Sequence, residues 1–396
     1  MLWRSSLFCC LFFIAYTAQA FDSPEQQVIK AVRVWQQGHA DQAGHLLSKL
    51  LTLEPEFRLA YLLRADILKS KSHVIKHVAD GLPDSAEVKQ LLLEIKSRWQ
   101  AQKNIQFKNK IPQSLIKLDR KNRYVFSIDL QQSRLFVFKN DHGTPKLLHD
   151  FYISMGRGGA GKYQEGDLRT PLGVYFVQSF LPSIKLDDKY GAGAYPLNYP
   201  NAWDKSQART CGGIWLHGTR SGTYNRPPLA SEGCVVLPNN DLMQVGAYID
   251  IGQTPVIIGN GLTWLSIDKW QQQQKNYQQI FKSWLDDWQS LDVEKYLRHY
   301  STKFQGDNKN YTTWVAYKRR VAQHKKFVKV AARHVSLFKH PNDDVLVITF
   351  QQDYRSDNFA SSGWKRQYWH KEDDGQWRIV FEGKVAAPML AQTSVE

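Results

Sequence analysis

The chain has 396 residues, 42% hydrophobic and 22% charged, with a formal net charge of +15. This composition excludes a disordered or collagen-like chain, and the length exceeds one ordinary core, so two or three domains are expected. The positive charge is spread along the chain rather than gathered in a tail. It fits retention beside polyanionic envelope polymers or a generic soluble surface, and points to no nucleic-acid partner.

The first twenty residues, MLWRSSLFCCLFFIAYTAQA, place Arg4 before an apolar stretch from Leu7 to Tyr16 and end in the small-x-small site Ala18-Gln19-Ala20. Residues 1–20 therefore read as a cleaved signal peptide, too short for a comfortable membrane span. The bulky Phe8 before Cys9 argues against a lipid-attachment box. The mature protein is expected in a bacterial periplasm.

Residues 21–108 repeat apolar positions at three- and four-residue intervals, the period of helices. Gly38, Ala43, Leu47, Leu50 and Pro55 fall where a tetratricopeptide repeat places its turn glycine, packing residues and closing proline, and the segment resembles such a repeat. One copy is too few for a free-standing solenoid, so this helical domain is expected to pack on the next domain or on a second copy in a homodimer.

Between 109 and 262 the period changes to two. RYVFSIDLQQSRLFVFKN reads as a hairpin turning at Gln131–Ser133, and LLHDFYISMG, GVYFVQSF, GIWLHG and TPVIIGN read as strands between glycine-rich connections. From 263 to 396 a helical pattern precedes short alternating strands. Trp284, Trp288, Tyr296, Phe304, Phe350, Tyr354, Trp369 and Trp377 then imply a cone-shaped α+β domain, which looks like the SnoaL/nuclear-transport-factor-like fold. Those aromatics read as core, or as a pocket for glycan or another envelope ligand. The basic run Tyr317–Lys329 reads as a solvated helix face. The fold class is thus multidomain α+β: helices, a mainly-β domain and a cone.

The chemistry concentrates in IWLHGTRSGTYNRPPLASEGCVVLPNND, where Cys234 follows His217 by seventeen residues. A cysteine attacks an acyl carbon as thiolate and needs a base or positive field nearby. His217 closes an apolar strand and Gly218 follows it. The turn Ser231-Glu232-Gly233-Cys234 can aim backbone N–H groups at one point as an oxyanion hole, with Gly233 allowing close approach. A metal site is not indicated, because no second Cys/His pair at ligand spacing accompanies these residues. No cofactor is expected. A structural disulfide to Cys211 is the other use of the thiol. An extended run from Cys211 to His217 would span roughly 20 Å, well beyond disulfide reach unless the chain folds back at Gly212-Gly213.

His217-Gly218-Thr219, Ser231-Glu232-Gly233-Cys234 and Asn239-Asn240-Asp241, with Gly161, Lys162, Thr170, Pro171 and Gly173 upstream, resemble the L,D-transpeptidase (YkuD) catalytic domain. The three-part layout looks like L,D-carboxypeptidases that help shape curved or helical bacteria. The resemblance implies Cys234 as nucleophile, His217 as general base and the Gly218 carbonyl as its orienting group. Gly233 and Cys234 N–H groups would stabilise the oxyanion, and Ser231 belongs to the same turn. It implies peptidoglycan stem tetrapeptides as substrate, opened between diaminopimelate and D-alanine through a thioester. Transfer to an amine and hydrolysis by water stay open. The sequence departs from the family at two positions: Glu232 stands where most members carry His, and Val236 where most carry Arg. Glu232 is then a candidate for positioning water or substrate, and Arg209, Arg220 or Arg226 for replacing the lost cation. The rival reading is a non-catalytic peptidoglycan-binding scaffold with a degenerate catalytic domain.

Overall fold

The computed structural model describes residues 23–102, 107, 109–210 and 212–387. The expected signal peptide and Cys211 lie outside the described residues.

Four helices, Pro24–Gln36, Ala40–Leu53, Arg58–Lys69 and Ala86–Ala101, open the described chain. Ser23 starts the first with a reciprocal capping box to Gln26, and Pro24 occupies the first helical turn, where its missing N–H has no partner to lose. Gly38 turns the chain into the second helix at φ +89°, a conformation that disfavours other residues. Ala43, Leu47 and Leu50 face inward and pack with Val28, Phe57 and Leu63.

The central domain carries a five-stranded sheet in the order Thr144–Tyr152, Arg134–Asp141, Tyr124–Asp129, Pro255–Gly259 and Gly173–Phe176. The hairpin is in register, with Asp129 opposite Arg134. A second sheet holds Val235–Val236, Trp215–His217, Gly193–Pro196 and Leu181–Pro182, in that order. Phe126, Leu135 and Ile258 from the first sheet meet Leu216 and Val235 from the second in one buried core. The strand ending at His217 is therefore held between a parallel neighbour, Val235–Val236, and an antiparallel one.

In the C-terminal domain a seven-stranded sheet packs against helices Ile267–Gln289, Val293–Leu297 and Tyr311–Gln323. Its edge strand is Leu115–Lys117, counted above with the central domain, and Lys110–Pro112 pairs with Trp264–Ser266. The aromatic set divides. Trp284, Tyr296, Phe304, Phe350 and Trp369 are buried, whereas Trp288 and Tyr354 line a cavity of about 990 Å³ that Tyr296 also borders. The basic run departs from its expectation at Lys318. This side chain turns into that cavity, and its ammonium stands 4.4 Å from the ring centre of Trp314 and 4.8 Å from that of Trp288. No helix among the described residues is long and apolar enough to cross a membrane.

Candidate active site

The parallel register sets Leu216 opposite Val235 and His217 opposite Val236. Cys234, one residue earlier, comes beside Trp215, with His217 two residues on along the same face. The backbone N–H of Trp215 favours the thiolate of Cys234, and the thiol donates to the Gly213 carbonyl at 3.4 Å. Gly213 itself sits at φ +81°, a conformation that favours glycine. Among the described residues, which do not include Cys211, Cys234 is a free thiol.

His217 is 5% exposed and its Nδ1 lies 2.7 Å from the Gly218 carbonyl. A carbonyl only accepts, so Nδ1 carries the proton and Nε2 is left as the base. Burial lowers the imidazole pKa to about 4, against the opposing Gly218 hydrogen bond, with the Arg226 and Lys189 charges adding to the drop. Burial also raises the Cys234 thiol, opposed by the Trp215 N–H and the Arg226 charge. Both shifts favour the neutral pair at rest, a thiol beside an imidazole. The Tyr190 ring meets the imidazole edge-on at 5.1 Å and fixes its plane from the other side.

The cysteine turn differs from its expected role at one atom. The Gly233 N–H donates to Ser231 Oγ at 3.2 Å, and Ser231 Oγ donates to the Cys234 carbonyl at 2.6 Å. Gly233 is thus occupied in building the turn, while the Cys234 amide makes no hydrogen bond among the described residues. Glycine is required at 233 for a second reason as well. Its φ is +129°, and a Cβ there would meet the Arg169 carbonyl at 2.8 Å. The loop carrying Lys162 and Thr170 backs the turn in this way. Lys162 is fastened to Asp167 at 2.9 Å, and Thr170 accepts the Gly156 N–H at 2.9 Å.

The other candidates separate. Arg226 donates to the Ala230 carbonyl, and its charge acts on both Cys234 and His217. Glu232 is 76% exposed at the rim, 3.8 Å from Arg157, and its charge works against the thiolate that Arg226 favours. Arg209 is not brought to the thiol by any contact among the described residues. It is held by Asp204 at 2.8 Å, at the start of the short helix Ala202–Ser206, and belongs to that helix's support.

Asn239 belongs to the motif, and the structure gives it a role. Its Oδ1 accepts the N–H groups of Ala192 (2.9 Å) and Thr219 (3.0 Å), and its Nδ2 donates to the Thr219 carbonyl at 2.9 Å. It thereby pins the Gly218-Thr219 peptide that orients His217. A Cβ on Gly218 would sit 2.1 Å from Asn239 Oδ1, which explains the glycine after the histidine. The signal in the sequence was an amide side chain opening the helix Asn239–Gly246, but its partners lie about twenty and forty-seven residues away.

Comparison with known proteins agrees with this geometry. Residues 123–258 match the family model of the L,D-transpeptidase catalytic domain (YkuD), and residues 276–383 that of the Cds6 C-terminal NTF2-like domain. Bd1075 of Bdellovibrio bacteriovorus has a similar structure, at 28% identity and TM-score 0.63, covering 71% of this chain and all of its own. Pgp2 of Campylobacter jejuni, described as a helical cell shape determining protein, is similar at 23% identity. The match covers 68% of this chain and 95% of that one, with TM-score 0.57. No curated protein sequence matches the chain significantly. The chain therefore carries an L,D-transpeptidase-type catalytic domain followed by an NTF2-like domain.

Proposed function

We propose that this protein is a periplasmic cysteine enzyme of peptidoglycan metabolism that opens the bond between diaminopimelate and D-alanine in stem tetrapeptides. The observation that carries the reading is the Nδ1 bond of His217 to Gly218, which leaves Nε2 free beside the Cys234 face of the strand pair. Nε2 takes the thiol proton as Sγ attacks the carbonyl carbon, and the oxyanion meets the Cys234 N–H. The C–N bond then breaks, the imidazolium returns the proton to the leaving amine, and D-alanine departs from a Cys234 thioester. Water gives a tripeptide; an amine from another stem gives a cross-link. The Arg226 guanidinium receives a substrate carboxylate and replaces the cation missing at Val236. The likeness to the Campylobacter protein supports a part in cell shape.

The test is mass spectrometry of disaccharide-tetrapeptides incubated with the protein and with Cys234→Ala. A tripeptide or a cross-linked dimer, absent with the variant, is the expected result and identifies the acceptor. Unchanged tetrapeptide with folded, reduced protein rejects the reading. The neutral resting pair predicts the pH response as well. Alkylation of Cys234 should climb about tenfold per pH unit from neutrality into the alkaline range, without the acid-side plateau of a preformed thiolate–imidazolium pair.

A second reading, a non-catalytic wall-binding scaffold, is favoured by the cone's cavity, where Lys318, Trp288 and Trp314 present a cation among rings. Such a surface suits stacking on sugar rings and holding an acidic group, and the same cavity serves the enzyme reading as a glycan subsite. Lys318→Ala with intact Cys234 alkylation should weaken binding to purified sacculi. Unaltered binding would remove the cavity from either reading.

A further inference from the structure

Three consecutive residues of the loop between His217 and Cys234 are held by anchors that converge on one side chain of the helical domain. The Tyr224 ring is 8% exposed and lies 4.2 Å from Phe57, inside the helical core. The Asn225 amide donates to Glu94 of the fourth helix. The Arg226 carbonyl accepts the Tyr152 hydroxyl at 3.1 Å.

Arg98 touches all three anchors. It is 1% exposed, stands 4.0 Å over the Tyr152 ring and 5.3 Å from that of Phe57, and donates to Glu94 at 2.9 Å. Glu25 completes its surroundings at 3.0 Å and also binds Arg134 of the central sheet at 2.8 Å. Glu25 is held below the usual carboxylate range: burial pushes it up, and the Arg134 and Arg98 charges outweigh that. A buried guanidinium with planar partners fixes geometry more than it adds stability.

The far end of the same loop is tied by the central domain itself, through the Met155 N–H to the Pro228 carbonyl at 2.7 Å. The stretch that presents Arg226 is thus held from both sides, its carbonyl by Tyr152 of the central sheet and the two residues before it by the helical domain. That guanidinium donates to the Ala230 carbonyl, directly before the Ser231–Cys234 turn, and its charge favours the thiolate.

We propose that the helical domain is a positioning element of the active site. Through Arg98, Phe57 and Glu94 it fixes Tyr224 and Asn225, and so sets where the Arg226 guanidinium stands relative to Cys234. Arg98 and Tyr224 are positioning residues that act through Arg226. That Arg226 also receives a substrate carboxylate rests on the function proposed above; its action on the thiol does not.

The test uses the full chain and follows iodoacetamide alkylation of the Cys234 peptide by mass spectrometry near neutral pH. Arg226→Gln should slow alkylation about threefold by withdrawing a favourable charge from the thiolate. Tyr224→Ala should slow it to the same extent, and the double variant no further. Tyr224→Phe, which keeps the stack, should match the parent. Asn225→Ala, which leaves the helical core intact, supplies the same comparison if Tyr224→Ala does not fold. Additive losses, or a normal rate in the folded loop variants while Arg226→Gln is slow, would overturn the proposal, as would a normal rate in Arg226→Gln. If the alkylation pattern holds and the parent does not turn over tetrapeptide, positioning stands and the proposed reaction falls.

Discussion

The catalytic domain joins its two neighbours by opposite chemistry. Toward the cone the seam is apolar: Phe136, Phe138, Val174 and Ile257 pack with Trp270, Phe338, Val347 and Tyr368 in a single buried cluster. Toward the helices it is ionic, with Arg98, Arg134 and Glu94 buried, Glu25 mostly so, and Tyr224 inserted beside them. Burial of apolar area is non-directional and strongly stabilising, so the cone shares a core with the catalytic domain. A buried ion cluster adds little net stability but allows one arrangement, so the helices are aligned on the catalytic domain more than they are fused to it.

That contrast can be broken most severely at Trp270. Trp270→Ala empties a 2% exposed site at the apolar seam and should lose about 3–5 kcal/mol, with catalytic domain and cone melting together in calorimetry. Two separate transitions would show that the seam is not a shared core. At the ionic seam, Arg98→Ala leaves Glu25 and Glu94 without their common partner and should lose about 3 kcal/mol in urea titration. Adding Glu94→Gln should restore part of that loss, because it removes one stranded charge. No restoration would mean that the cluster does not act as a unit.

Asp241 sharpens the comparison through pH. Burial, with the Glu25 carboxylate adding, pushes its pKa up to about 7. The folded state then keeps a proton that the unfolded state has lost, so this group's contribution to stability falls as pH rises from about 4 to about 7. Asp241→Asn should flatten that slope in thermal melts and exceed the parent in stability on the alkaline side. An unchanged slope would place the titration elsewhere. The smallest effect belongs to Ile257→Val, a one-methylene loss at the fully buried apolar seam worth about 1 kcal/mol, without change in Cys234 alkylation.

Much of the strand pair that carries His217 and follows Cys234 is legible in the sequence. His217 ends an apolar run, Cys234 closes a glycine turn, and both features are local, set by backbone period and turn chemistry. The partner of the Gly233 N–H is not written in its spacing: without substrate, Ser231 Oγ takes it. Arg209 was a reasonable cation by sequence distance, yet Asp204 holds it. Lys318 looked solvated among its basic neighbours, and the cone closes rings around it.

The sequence by itself determined the order of a helical, a mainly-β and an α+β segment, and marked His217 and Cys234 as the imidazole and thiol to examine. Those properties follow from periodicity and from side-chain chemistry within short windows. Only the tertiary structure decided that strand Leu115–Lys117 serves the cone, that Asn239 pins the peptide orienting His217, and that Arg98 lies against Phe57, Glu94 and Tyr152, the partners of a loop far along the chain. The physical reason is the same in each case. Buried polar groups must find partners, and which partner is nearest depends on how separate segments pack rather than on how they are spelled.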